Sequence, residues 1–358
     1  MRGGPREQIS AYQVAAILFF VRLVPRTLIC PTTMVQPPYQ DIWLADAVSA
    51  LLAVGFVAVV CRLGVLYRGQ SIIEYSQHLL HPILGKLLGL ILTGYFLFVA
   101  AYTVRMLGES FVITILPRTP LALFMVMTAV LAANAARSGL EVVARMAEFL
   151  LPLTVLLLLA LLVLPLDLAD TYHLRPVLAA GIASIVPAAS IEFMFYLEFI
   201  VLGMLIPHLR VPERAVRQAV VFTLGLGVMI IVMCLVMISV FGPTLNAFVL
   251  QMFMLARMIA RVESLVLASW ILSTGVRLSV FIWVISACLK QSLGLSSGKP
   301  LCYAAGGLVV VAGLVLFEDV VHMVRLLAEP WTVVSIVSVL GLVTCLWGAH
   351  FARKWGKG

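Results

Sequence analysis

Apolar residues run along this chain in blocks of about twenty, separated by short polar or Pro/Gly breaks. Blocks of that length match the hydrocarbon thickness of a bilayer, and alternating strand patterns are absent between them. Reading from break to break predicts ten membrane-crossing helices near 13–36, 42–62, 83–116, 121–137, 143–165, 181–207, 217–241, 262–290, 301–317 and 331–351. The expected fold is an all-α polytopic membrane protein with residues 1–358 forming a single integral domain.

Composition agrees. Of 358 residues, 63% are hydrophobic and 11% are charged, against roughly 45–50% and about 25% in soluble domains. A soluble fold has no interior large enough for so much apolar surface. The first apolar run exceeds a cleavable signal core, so it is expected to be retained. Six cysteines lie scattered in apolar segments without the paired spacing of a metal or disulfide framework.

The net charge of +8 sorts by loop rather than into a basic face, which argues against nucleic acid as a partner. Four of the 24 Lys and Arg residues, Arg22, Arg26, Arg105 and Arg277, lie deep within predicted helices rather than at their ends. With the N-terminus inside, Arg118, Arg175, Arg257, Arg261 and Arg325 fall in outer loops, which leaves fifteen in inner ones. That bias predicts two cytoplasmic termini and an even number of crossings.

The helical charges are the candidate chemistry, because an ionisable group at bilayer depth is costly and needs a partner or a cavity. They are Arg22 and Arg26 in helix 1, Arg105 and Glu109 in helix 3, Glu192 and Glu198 in helix 6, and Arg277 in helix 8. Helices 1 and 6 also carry disruptions: "RLVPRTLICP" at 22–31 contains Pro25 and Pro31, and Pro187 precedes "AAS" at 188–190. Proline removes a backbone donor and clashes with the preceding turn. Unwinding is therefore expected around 22–27 and 187–192.

These positions repeat. Helices 1 and 6 each open a set of five, and the mid-helix arginines 105 and 277 lie in the third helix of each set. That predicts a five-plus-five inverted repeat, with halves near 13–165 and 181–351, discontinuous helices 1 and 6, and a site at the midplane. Arg105 and Glu109, four residues apart, are expected to form a local ion pair. Arg22 and Arg26 share a face and repel, so they require outside anions. Either a ligand or a lock onto Glu192 and Glu198 satisfies them. Arg26 and Glu198 are expected in one midplane cavity with Tyr102, Trp270 and Ser273. Ser273, Thr274 and Arg277 complete the candidate ligand-binding set, although hydroxyls in such helices commonly bond their own backbone. The "GKLLG" stretch at 85–89 reads as helix packing.

Several segments, in order, resemble the endospore germination permeases, the membrane B subunits of spore germinant receptors within the amino acid–polyamine–organocation transporter superfamily. They are "ISAYQ" (9–13), "QDIWLADAVSALL" (40–52), "RSGLEVVARMAEFLLPL" (137–153), "FGPTL" (241–245) and "RVESLVLASWIL" (261–272). The resemblance implies an amino-acid-permease-like fold that senses a small nutrient, such as an amino acid, in a spore inner membrane or bacterial cell membrane. Partners would be a larger membrane subunit and a lipoprotein, besides the lipid bilayer. Two departures stand out. The family's Gly-x-Gly break falls here on Val24, Pro25 and Arg26, and "FYLEF" (195–199) lacks glycine before Glu198. Both replace open backbone with bulk, and Arg26 adds a guanidinium suited to gripping an anion bidentately.

Two other functions compete with sensing: an ion-coupled transporter of amino acids or related small organic ions, and a scaffold with its site locked shut. No hydrolase, kinase or nucleotide motif is present, so neither an enzyme nor a cofactor is expected.

Overall fold

The computed structural model describes residues 7–28, 39–178, 181–242 and 263–355. Among the described residues ten helices build the bundle: α1 (Ala11–Leu28), α2 (Ile42–Leu66), α3 (Pro82–Thr114), α4 (Leu121–Ser138), α5 (Leu140–Val163), α6 (Ile185–Leu197), α7 (Ala215–Phe241), α8 (Glu263–Leu293), α9 (Leu301–Val315) and α10 (Thr332–Trp355). Nine of these regions are long and apolar enough to span a bilayer, and α9 is a shorter apolar helix. Each of the ten expected segments overlaps one of these helices; residues 29–36 of the first lie outside the described residues. Large apolar side chains such as Phe149, Leu131, Leu156 and Val337 are exposed on the outside. In a bilayer that surface meets lipid, and the chain is an integral multi-pass membrane protein.

Burial separates the centre from the rim. The α6 region is 94% buried over its most apolar stretch and α1 78%, against 33% for α4 and α5. Around this pair, α2 packs on α6 and α7, while α8 packs on α3 and α4. The regions that carry Arg22, Arg26, Glu192 and Glu198 are thus the two most enclosed by protein.

Both expected breaks differ from the observed backbone. Helix α1 runs unbroken through 22–27 with Pro25 inside it; Pro31 lies outside the described residues. A proline at 25 deprives the carbonyl of Val21 of its donor four residues on. Here the Arg277 guanidinium of α8 donates to that carbonyl, so the helix keeps its shape. Helix α6 is regular over 187–192, because Pro187 is its third residue and first-turn N–H groups have no helical acceptor anyway. The discontinuity comes later. Residues Glu198–Val201 are 3-10, Leu202–Leu205 return to α geometry, and Ile206–His208 are 3-10 around Pro207.

A short helix, Ile72–Leu79, was not expected in the loop before α3. Its start carries a readable signal: Ser71 and Glu74 form a reciprocal capping box. The "GKLLG" glycines pack it against α3. A Cβ on Gly85 would stand 2.5 Å from the backbone of Gln77, and one on Gly89 would meet Ser292 and Ile73. Arg105 pairs with Glu109 at 2.7 Å as expected, and also donates to the carbonyls of Gly313 in the last turn of α9 (3.4 Å) and of Glu318 beyond its end (2.9 Å).

The N-terminal strand-like segment is tied down at one end of the bundle. Ile9 N–H donates to the carbonyl of His208 (2.8 Å), and Arg210 N–H donates to that of Ile9 (3.2 Å). Glu7 accepts from Leu140 N–H (2.8 Å), Gln8 N–H donates to Glu141 (2.8 Å), and the Gln13 amide donates to Glu148 (2.8 Å).

The Gly85 contact gives a test of the packing. Gly85→Val should destabilise the protein by about 1–3 kcal/mol through overpacking against Gln77, read as a lower thermal midpoint in detergent. Gly94→Val, where nothing lies within 4 Å of the added carbon, should leave the midpoint nearly unchanged.

Candidate functional site

At bilayer depth six ionisable side chains gather around α1 and α6, and they sort into two groups. The first holds Arg22, Arg26, Glu192 and Asp46. Arg22 and Arg26 lie four residues apart on one face of α1, and each takes one oxygen of Glu192: Arg22 on Oε2, and Arg26 on Oε1 at 2.9 Å. Arg26 also reaches Oδ2 of Asp46 on α2 at 3.1 Å. The Arg22 guanidinium lies over the Tyr196 ring, 4.5 Å from its centroid. Two cations face two anions, so this group is neutral.

The second group centres on Arg277. Its guanidinium donates from Nη2 to Glu198 Oε1 at 2.9 Å, a charge-assisted hydrogen bond, and Nη1 stands 2.8 Å from Oε2 as a charge contact without hydrogen-bond geometry. Tyr102 on α3 donates its O–H to Glu198 at 2.5 Å and accepts from Arg277 at 2.6 Å. Arg277 Nε donates to the Thr103 hydroxyl at 3.1 Å, and another nitrogen serves the Val21 carbonyl. The Phe281 ring lies beneath, its centroid 4.8 Å away. One side chain from α8 therefore ties together α1, α3 and α6.

Burial is nearly complete: Arg22, Glu192 and Arg277 are 0% exposed, Asp46 and Glu198 1%. Charges this far from water require one another. Chemically the arrangement can hold, exchange or release a charged group. Among the described residues no cluster of His, Cys, Asp or Glu has the geometry to hold a metal ion.

Measured against expectation, the structure places all nine candidate residues within the bundle but not in one cavity. Arg26 does not meet Glu198. Glu192 and Glu198 are six residues apart, which puts them about 120° apart around a helix of 3.6 residues per turn. Each therefore meets a different neighbour. Tyr102 and Arg277 join Glu198 as described. Trp270 and Ser273 instead face Leu23 and Thr27 of α1 across a narrow crevice that α5 closes. The Ser273 and Thr274 hydroxyls are buried without a hydrogen-bond partner among the described residues. Sequence reasoning missed Asp46 and Thr103. Asp46 had a signal, a carboxylate four residues into α2.

The fold and its central charges define a helical membrane protein of transporter architecture. A solved structure of Mhp1, a nucleobase-cation-symport-1 family transporter in a closed conformation with bromovinylhydantoin bound, superposes with a TM-score of 0.71 over 93% of this chain and 78% of that one. The identity there is 12%, so what is shared is the fold. The family assignment comes from sequence: residues 8–320 match the spore permease family model, described as spore germination protein, and the chain belongs to that family. Among curated relatives from Bacillus subtilis (strain 168), spore germination protein YndE is 26% identical over 324 residues, 86% of each chain. Spore germination protein A2 is 27% identical over 76% of each, and spore germination protein KB 26% identical over 57% of this chain and 55% of its own.

The separation of the two groups predicts how mutations combine. Arg277→Leu alone strands Glu198 and should cost about 3–5 kcal/mol, while Arg277→Leu with Glu198→Leu should recover a large part of it. Arg26→Ala and Glu198→Ala share no contact, so their effects should add to within about 0.5 kcal/mol. Thermal unfolding of these variants and of the Arg26→Ala, Glu198→Ala double variant checks both statements; strong coupling between Arg26 and Glu198 would contradict the observed pairing.

Proposed function

We propose that this chain is a membrane subunit of a spore germinant receptor, sensing a small charged nutrient such as an amino acid at the Arg277–Glu198–Tyr102 group. The observation that carries the reading is that a single guanidinium joins three helices while the segment holding its partner carboxylate is already 3-10. A ligand acts by exchange. Its carboxylate takes the Arg277 fork, or its amine takes Glu198, and the ion pair opens. Binding then favours a second state in which α1, α6 and α8 are no longer joined, and that difference in affinity between states is what a receptor needs. Family membership supports the germination role, and the Mhp1-like fold supports a small-molecule site between helices. In this reading a larger membrane subunit and a lipoprotein receive the change.

The repeat halves near 13–165 and 181–351 and two cytoplasmic termini belong to the same proposal. With Arg118→Cys and Pro212→Cys, a membrane-impermeant thiol reagent should label 118 from outside and leave 212 shielded; the reverse pattern inverts the topology.

An ion-coupled transporter is the second reading, favoured by the unpartnered Ser273 and Thr274 hydroxyls one turn before Arg277. Gradient-driven uptake of the germinant into proteoliposomes would select it over sensing.

Germination assays test the leading reading. Arg277→Lys keeps the charge but loses the planar fork. With normal protein levels in spores, the nutrient dose–response should shift by about tenfold, the equivalent of about 1.4 kcal/mol. Unchanged dose–response curves in both Arg277→Lys and Arg26→Lys spores would remove this site from the mechanism.

A further inference from the structure

A separate polar cavity of about 380 Å³ opens at the end of the bundle where the N-terminal segment is tied down. Its volume lies within the range of about 300–1,000 Å³ common for small-molecule sites. Three cations line it: Arg137 at the end of α4, Lys290 near the end of α8, and Lys299 before α9. None of the three forms an ion pair with any described carboxylate. Arg137 is held over the Tyr303 ring, 5.3 Å from its centroid.

Two carboxylates share the wall, and both are already committed to backbone donors. Glu7 accepts from Leu140 N–H at the start of α5, and Glu74 accepts from Ser71 N–H in its capping box, each at 2.8 Å. Both sit at helix N-termini, where the aligned peptide dipoles stabilise negative charge. Their charge is offset there, so the three cations leave an excess of positive potential facing the cavity. Hydroxyl donors accompany it. Ser297 accepts from Lys299 N–H at 3.3 Å, which leaves its own O–H to donate.

We propose that this cavity binds a phosphate group, carried by a small soluble molecule or by a lipid headgroup, gripped by Arg137, Lys290 and Lys299. A tetrahedral phosphate offers several acceptor oxygens and can accept from more than one of these lining cations and hydroxyls at once, which a spherical monovalent anion does less well. Trp283 lies on the cavity wall, in edge contact with His208 at 5.5 Å, and serves as a built-in reporter. None of the three cations touches the buried ion pairs, so this inference stands or falls separately from the germinant reading.

The probes are inorganic phosphate and phosphatidylglycerol. Full-length protein in phosphatidylcholine nanodiscs is titrated with potassium phosphate, against potassium chloride at matched ionic strength, and followed by tryptophan fluorescence. A second set of discs contains phosphatidylglycerol and no phosphate. A saturable change with phosphate alone assigns a soluble ligand, with phosphatidylglycerol alone a lipid headgroup; either supports the site, as does a response to both. Trp283→Phe should remove the fluorescence change while phosphate still raises the thermal midpoint. Lys290→Gln with Lys299→Gln should weaken the response at least tenfold, and Lys86→Gln, outside the cavity, should not alter it. If the double variant does not fold, Arg137→Gln alone should still weaken the response at least threefold. No saturable response to either probe overturns the proposal, and so does a response that persists undiminished in the cation variants.

Discussion

A proline in the most enclosed part of a membrane protein leaves one carbonyl without a donor, and no water is available at that depth to supply one. Pro25 does this to Val21, and Arg277 answers it. The consequence spreads outward. A fully buried guanidinium needs a carboxylate, and Glu198 from α6 supplies it. That carboxylate and the remaining arginine nitrogens then take up Tyr102 and Thr103 from α3. Replacing Pro25 by a residue with an N–H would satisfy Val21 locally and loosen the reason for α8 to stand against α1. The helix defect and the ion pair are thus two parts of one solution to the same hydrogen-bonding problem.

The second charge group works differently. Arg22 and Arg26 repel along one face of α1, and Glu192 neutralises them by offering one oxygen to each. One carboxylate cannot balance two cations, and Asp46 from α2 supplies the missing charge. Buried ion pairs contribute little net stability against apolar packing, but they penalise every arrangement in which the partners separate. Here that penalty fixes the register of α1 against both α2 and α6. The glutamates of α6 thus divide the work: Glu192 holds neighbours on one side, and Glu198 holds those on the other.

Much of the architecture was legible because bilayer thickness acts on the sequence one segment at a time. The ten crossings, the Arg105–Glu109 pair and the packing role of Gly85 and Gly89 all follow from local spacing. The pairing of Arg26 was not legible, because it depends on which way each glutamate projects from α6. Nor was the intact course of α1. Pro25 signals a lost hydrogen bond, but the replacement donor lies 256 residues away in sequence. Pro187 signals the same loss but stands where a helix has no hydrogen bond to lose. Local rules identify the costs, and only the assembled bundle shows how they are met.

The stretches that most resemble the germination permeases meet at one end of the bundle. Gln13 of the opening segment bonds Glu148, and Gln8 bonds Glu141, both carboxylates within "RSGLEVVARMAEFLLPL". Ile9, between them, pairs with the backbone at 208 and 210. The irregular end of the α6 region is therefore held twice: near its start by Arg277 on Glu198, and near its finish by this N-terminal strap. Between those points the backbone runs largely through 3-10 turns, whose bonds have poorer geometry than α-helical ones. A segment that is loosely bonded inside but clamped at both ends moves only when a clamp opens. The strap's bonds at 208 and 210 join neutral backbone groups, which a charged ligand has little leverage to exchange. In the proposed sensing role the Arg277–Glu198 pair is the clamp that a charged ligand opens, so the sixth span is expected to rearrange from the Glu198 end.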